Sequence, residues 1–433
     1  MLTSLSVLIN FRLISAILFI STLTGLSSAL FLWLLDFATI TRLNHPWLMY
    51  LLPVAGFFIW WLFKKAGSYG RYAERADARE YQLARGNDLV IDEVHAPADL
   101  VPFRLAPLIL ITTIITHLFG GSAGREGTAL QMGGGIAAGI MRFFKSLSPH
   151  RKVLLLCGLA AGFGSVFGTP LAGGLFAAEV ITRRKIEWQS LLPCLLAAFA
   201  GDFACHITGV HHTLYEVKFK PFFAGAISEM NADRFFTDGS VLLNVILGGA
   251  LAGLAARLFI TILERIKSTL NKMNIPGSLS PVLGGLLVLL MTCLLGTTDY
   301  LGLGVSNPDP NAITILSSFH KGGATDLSWF WKLLLTAITL GFGFRGGEVT
   351  PLFFIGATLG NVVAFYSGAP VDLLAAVCFI AVFAGATKTP VACTVMGIEL
   401  FGTGNIVFFA TGCVMAYLLS GHQSIYKSQR QEI

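Results

Sequence analysis

Two short polar stretches in an otherwise apolar chain carry the residues best suited to chemistry: Gly124-Arg125-Glu126-Gly127-Thr128 and, 222 positions later, Gly346-Gly347-Glu348-Val349-Thr350. Each is followed by an apolar run of helical character, so each reads as a helix start. The unpaired N–H groups and dipole of a helix N-terminus attract anions, and glycines there let an ion approach the backbone closely. Glu126 is the sharpest single residue. A carboxylate at membrane depth is costly and usually functional, and one aimed at donors built for an anion occupies that site itself. Protonated, it loses the attraction and leaves, which couples a proton to an anion. The structural alternative makes Glu126 a partner of Arg125. Glu348 is the repeat counterpart, a candidate second proton site, or a helix N-terminal acid favoured by the dipole alone.

Gly86-Asn87-Asp88-Leu89-Val90 is a candidate third helix start of the same kind. Asn87, Thr350 and Tyr426 supply neutral N–H or O–H donors, suited to an anion that must leave again. Glu179 and Glu399 close two apolar segments, where interfacial or packing roles are the plainer reading. The 34 phenylalanines are mostly core or lipid-facing residues, although their ring edges are electropositive and can line an anion path.

The elements that position these residues belong to a membrane protein. Of 433 residues, 54% are hydrophobic and only 12% charged, against about 25% charged in soluble domains. That excludes disorder, nucleic-acid binding as a main role and a cytosolic enzyme. Leu13 to Leu35 carries no charge and reads as a first spanning helix, with Trp47 to Phe63 nearly a second. Lys64 to Asp99 carries six Lys/Arg and seven Asp/Glu, which predicts a segment largely outside lipid. Beyond it the apolar segments are broken. Ala106 to Gly120 runs into the Glu126 stretch, and Val153 to Ala178 is interrupted at Gly168-Thr169-Pro170, where two half-helices are expected to meet.

An internal repeat organises these broken segments. A shift of 220 places Ala161, Phe163, Thr169, Pro170, Ala172 and Glu179 on Ala381, Phe383, Thr389, Pro390, Ala392 and Glu399; a shift of 222 places Gly124, Glu126, Thr128 and Gly134 on Gly346, Glu348, Thr350 and Gly356. The repeats run roughly over 70–210 and 290–430, and interrupted helices in corresponding halves point to a transporter site near the bilayer midplane. The acid-free loops Arg142 to Lys152 and Arg183 to Lys185 are expected on the cytoplasmic side, with Asp202 to Asp238 and Asp299 to Asp326 outward. Six of the seven cysteines lie in apolar stretches and read as packed free thiols; Cys205 alone sits near a polar loop. No organic cofactor, metal or nucleotide is indicated.

At these motifs the chain resembles the CLC family of chloride channels and anion/proton exchangers, from the first helix to Tyr426. Gly124-Arg125-Glu126-Gly127 matches the family's most distinctive motif, whose glutamate is the external gate. Gly168-Thr169-Pro170-Leu171-Ala172-Gly173 matches its next block. The resemblance implies that Gly346 to Pro351 is the second-repeat anion loop, where the backbone amides of Glu348 and Val349 hold the ion. It places Tyr426, in Gly421-His422-Gln423-Ser424-Ile425-Tyr426, at the family's central tyrosine. It further implies an all-α, polytopic fold with broken and re-entrant helices in two inverted halves.

Departures from the chloride-type pattern point to one branch. Gly86 to Val90 lacks that pattern's serine and proline, Thr128 replaces a proline after the gating motif, and Glu348 and Thr350 stand in the second loop. All of these resemble the bacterial fluoride-exporting branch. The internal proton-transfer glutamate of chloride exchangers falls at Val180, which raises the expectation that Glu348 handles protons. Asp88 has no assignable role, since an acid pointing inward would repel an anion. The expectation is one transporter domain over 1–433 without a cytosolic regulatory domain, a homodimer in the bacterial inner membrane, exchanging fluoride for protons. Its anion site comprises Asn87, Gly124, Arg125, Gly127, Glu348, Val349, Thr350 and Tyr426. A chloride/proton antiporter or chloride channel of the same fold is the alternative. An intramembrane enzyme using Glu126 and Glu348 as acid/base groups is a reading from a different class, which predicts product formation without ion flux.

Overall fold

The computed structural model describes residues 11–67, 86–96, 101–183, 185–221 and 232–431, except for the side chains of 145, 232–238 and 431. Among them are fifteen α-helices: α1 (Phe11–Asn44), α2 (Leu52–Gly67), α3 (Asn87–His95), α4 (Leu105–Leu118), α5 (Glu126–Phe143), α6 (Arg151–Phe167), α7 (Pro170–Glu179), α8 (Trp188–His206), α9 (Ala232–Lys272), α10 (Leu279–Leu295), α11 (Ser328–Gly341), α12 (Val349–Ser367), α13 (Val371–Thr387), α14 (Pro390–Phe401) and α15 (Ile406–Leu419). A parallel pair of two-residue strands, β1 (Thr182–Arg183) and β2 (Arg430–Gln431), ties the C-terminal segment to the turn after α7. Among the described residues six helical stretches are long and apolar enough to cross a membrane, and five apolar helices are shorter.

Local chemistry explains the breaks. Gly168 takes the left-handed conformation, φ +69°, and ends α6. Thr169 then precedes Pro170, which sits in the first turn of α7, where its missing N–H costs nothing. In the second half Lys388 occupies the corresponding left-handed position, φ +62°, before Thr389 and Pro390 start α14. At ten residues, α7 is about 15 Å long, half of what a crossing needs.

The two halves repeat each other in three dimensions with inverted direction. Helices α1, α2 and α4 to α8 make seven segments, and α9 to α15 make seven more. Their packing partners correspond: α1 lies against α6 and α8 as α9 lies against α13 and α15, and α4 lies against α5 as α11 lies against α12. The direction is fixed by two carboxylates. Glu179, the last residue of α7, accepts the N–H groups of Val391 and Ala392 at the start of α14, at 3.2 and 2.8 Å. Glu399, near the end of α14, accepts those of Leu171 and Ala172 at the start of α7, at 2.9 and 2.8 Å. Each helix therefore ends where its counterpart begins, so the two run antiparallel. An odd number of segments per half produces such an inversion.

These reciprocal caps are testable. Replacing Glu399 by Ala strands two N–H groups and removes a carboxylate from a helix N-terminus, at a cost of about 1–2 kcal/mol. A lower melting temperature of the detergent-solubilised protein is expected, with a smaller loss for Glu399→Gln; unchanged melting in both variants would count against the cap.

Close backbone contact between helices explains part of the glycine content. A Cβ on Gly133 of α5 would collide with the carbonyl of Gly158 on α6, and one on Gly356 of α12 with that of Cys378 on α13. Small residues at such crossings let helices approach without a hydrophobic driving force.

Several sequence expectations change. Residues 68–85 and 97–100 of the charged stretch lie outside the described residues, but α3 is folded into the bundle against α5 and α6. It buries Leu89, Val90, Ile91, Val94 and the carboxylate of Glu93, whose Oε1 accepts a hydrogen bond from Arg151 Nε at 2.6 Å. An amphipathic turn hidden in a charged run is the reason. Asp202 lies inside α8 and α9 begins at Ala232, so the loop expected to face outward is shorter than the sequence suggested. Cys205 is buried because α8 continues through it against α1, whereas Cys293 is exposed on the apolar face of α10 beside Leu290 and Leu294; all seven thiols are free. Glu126 and Glu348 are not the sole charged residues inside the bundle, since Arg42, Glu179, Lys332 and Lys388 are buried too.

Candidate anion and proton site

The two glycine stretches singled out in sequence meet at the centre of the bundle. Gly124 and Gly347 form an isolated antiparallel bridge in which each donates its N–H to the other's carbonyl, the second bond measuring 2.7 Å. Side chains would prevent this. A Cβ on Gly347 would stand 2.6 Å from Gly127 N, and one on Gly124 would stand 2.8 Å from Pro351 Cδ. The bridge sets the starts of α5 and α12 face to face, so that two helix N-termini share one small volume.

Glu126, the first residue of α5, is fully buried. Its carboxylate crosses the junction to the first turn of α12. Thr350 N–H donates to Oε2 at 3.0 Å, and the Thr350 hydroxyl lies 2.6 Å from both carboxylate oxygens. On its own side the carboxylate is met by Arg125, through its backbone N–H at 3.2 Å and Nε at 3.3 Å. Both sequence readings of Glu126 are therefore present in the geometry: it pairs with Arg125, and it also sits where α12 would hold an anion.

Glu348 is the residue immediately before α12. Its Oε1 accepts a long hydrogen bond, 3.4 Å, from Asn87 Nδ2. Asn87 opens α3 after Gly86, whose φ of +63° turns the chain into the site. Gly127 closes the gap between them, since a Cβ there would stand 3.1 Å from Asn87 Nδ2 and 3.2 Å from Glu348 Oε2. The Tyr426 hydroxyl is turned toward Glu348 and Asn87, yet neither it nor Asn87 Oδ1 has a hydrogen-bond partner of good geometry. The structure thus brings Asn87, Gly124, Arg125, Glu126, Gly127, Glu348, Val349, Thr350 and Tyr426 into one neighbourhood, with Val349 buried as the first residue of α12. Asp88 is turned elsewhere. Its Oδ1 accepts the N–H of Ser428 at 2.9 Å, although its charge still acts on Glu348 and Tyr426.

Some polar residues here escaped the sequence reading. Gln131, one turn into α5, donates to Gly127 O at 3.1 Å and leaves its buried Oε1 without a partner. His117 approaches Gly124 O at 3.3 Å and also has an unpartnered buried nitrogen. Thr113 shares a hydrogen bond at 2.8 Å with Thr128, which the motif had already singled out. The available signal was helical spacing: Gln131 falls four residues after Gly127, on the same face. Above the start of α12 the rings of Phe353 and Phe379 stack at 3.9 Å, and Phe163, Phe167, Phe176 and Phe383 continue the cluster.

Comparison with known proteins agrees with this architecture. The family described as voltage gated chloride channel matches residues 55–421. A chloride/fluoride channel protein from Pseudomonas syringae pv. tomato is 40% identical over 417 residues, covering 95% of this chain and 84% of that protein. Among solved structures, a CLC-type fluoride/proton antiporter superposes with a TM-score of 0.84 at 31% identity, over 98% of this chain and 100% of the other. A slow cyanobacterial Cl−/H+ antiporter shares the fold at 18% identity, with a TM-score of 0.71 over 95% and 96% of the two chains. With its inverted halves, two helix starts facing across a glycine bridge and a family match over most of its length, the chain belongs to the CLC family of membrane anion channels and transporters.

Proposed function

We propose that the chain is a fluoride/proton antiporter that exports fluoride across a bacterial plasma membrane at the expense of inward proton movement. The observation that carries this reading is the Glu126 carboxylate seated on the first turn of α12 by Thr350. Charged, it fills an anion-attracting position and closes the outward side. Protonated, it loses that attraction, swings away and lets an anion take its place. The anion then faces the backbone amides of Val349 and Thr350, while Asn87 and Tyr426 offer neutral donors beneath. Desolvation of a small anion is costly unless such donors replace its water, and neutral donors release it again.

Proton access from inside is the task of Glu348. The position that holds the inner glutamate in chloride exchangers is Val180, which is buried and cannot titrate, whereas Glu348 stands between Asn87, Tyr426 and the start of α12. In this reading the chain forms one transporter domain, and two copies assemble in the bilayer with a separate pathway each. The relatives at 40% and 31% identity, a chloride/fluoride channel protein and a CLC-type fluoride/proton antiporter, support fluoride as cargo. Proteoliposomes loaded with potassium fluoride or potassium chloride test the choice. Fluoride is expected to leave at least tenfold faster than chloride, and equal rates would favour the chloride/proton antiporter of the same fold.

A further inference from the structure

On the side of the outward loops a second group of charges lies beside the exchange site. A cavity of about 330 Å³ opens between the end of α1, the segment after α8 and the loop before α11, and its walls include Asp36, Arg42, Arg125, His212 and Asp299. Arg125 joins this cavity to the exchange site, because the same guanidinium pairs with Glu126 at 3.3 Å.

Arg42 is the unexplained member. The residue is only 9% exposed, and among the described residues its Nε has no hydrogen-bond partner. Among the described residues no carboxylate pairs with it. It packs against Gly302, where the backbone has φ +59° and a Cβ would stand 2.9 Å from Nη2. Lys332, buried on the other side of the same loop, shows what a structural cation does here. Its ammonium donates to the carbonyls of Tyr300 and Gly302 at 3.1 and 2.6 Å and lies over the Phe354 ring. Among the described residues Arg42 has no such partners, and a buried charge left unanswered is costly.

Neither acid of the cavity pairs with it. Asp299 Oδ2 accepts the N–H of Ile313 at 3.2 Å and so holds the loop, and Asp36 is exposed. His212 lies 4.0 Å from Asp202, and its buried Nε2 forms no hydrogen bond.

We propose that Arg42 and Arg125 bind a small monovalent anion in this cavity, as an outer site in series with the one occupied by Glu126. The site's place on an outward path rests on the transport reading above, whereas its existence does not. An anion released when Glu126 returns to α12 meets Arg125 first and Arg42 next. Arg125 is thereby shared between the gate and the departing ion, so occupation of the cavity competes with the Arg125–Glu126 pair.

The test titrates sodium fluoride and, separately, sodium chloride into the detergent-purified full-length protein by calorimetry, comparing wild type with Arg42→Met and Arg42→Lys. Anion affinity is expected to fall at least tenfold in Arg42→Met and less in Arg42→Lys, while the melting temperature of Arg42→Met stays equal or rises because an unpaired buried charge is gone. Loss in the fluoride arm assigns the site to exported cargo, and loss in the chloride arm alone assigns it to external chloride. Unchanged affinity in both arms overturns the proposal, as does a melting temperature that falls without any change in binding. Arg42-dependent binding in a protein that moves no fluoride in liposomes would leave this site standing and remove the transport reading instead.

Discussion

Glu126→Gln is expected to abolish fluoride-driven proton uptake into proteoliposomes, lowering it at least tenfold to the level of protein-free vesicles. Glutamine preserves the shape of the side chain and can still accept the Thr350 N–H, so the starts of α5 and α12 remain in place. It cannot bind and release a proton at this position, and it lacks the charge that draws the carboxylate onto the helix start. Whatever fluoride the variant moves should therefore be indifferent to the pH gradient. Proton uptake persisting near the wild-type rate would refute the gate assignment. Arg125 sharpens the point: were Glu126 only its structural partner, the substitution would lower stability and leave the coupling ratio intact.

Glu348→Gln is expected to have the second largest effect. It leaves Glu126 and Thr350 untouched and keeps an acceptor for Asn87 Nδ2, whose present distance is 3.4 Å. If Glu348 is the inner proton carrier, protons moved per fluoride should fall at least tenfold in coupled-flux measurements. Fluoride binding to the purified variant should change far less. A helix N-terminal acid that serves only the dipole of α12 predicts the reverse, a modest loss of about 0.3–1 kcal/mol in stability with coupling retained. The same measurement on Val180→Glu is informative, since it restores a carboxylate at the position used by chloride exchangers beside Glu179.

Much of the architecture was legible because membrane constraints are severe. Runs of apolar residues broken by glycine and proline can only be half-helices buried in protein, and the breaks at Gly168-Thr169-Pro170 and Lys388-Thr389-Pro390 lie where the repeat puts them. Inversion came from the family resemblance and not from the repeat, because offset similarity carries no direction; the cross-capping of Glu179 and Glu399 supplies its structural basis. The neighbourhood of Glu126, Glu348, Asn87 and Tyr426 was readable from motifs, although their contacts span more than 200 residues. What escaped were residues whose meaning depends on a partner. Lys332 in an apolar run is unremarkable until its two carbonyl acceptors are seen. Asp88 had no assignable role until its carboxylate was seen to hold the Ser428 N–H of the C-terminal segment. Arg42 reads in sequence as an ordinary cation at a helix end, and only its burial without a partner singles it out.

Coupled flux in the wild-type protein decides the central claim. Proteoliposomes loaded with potassium fluoride and diluted into fluoride-free medium, with no initial pH difference and the membrane potential clamped, should take up protons as fluoride leaves, in a fixed ratio and against the proton gradient that develops. Fluoride efflux without proton uptake under these conditions would contradict exchange at Glu126 and leave only a passive anion path.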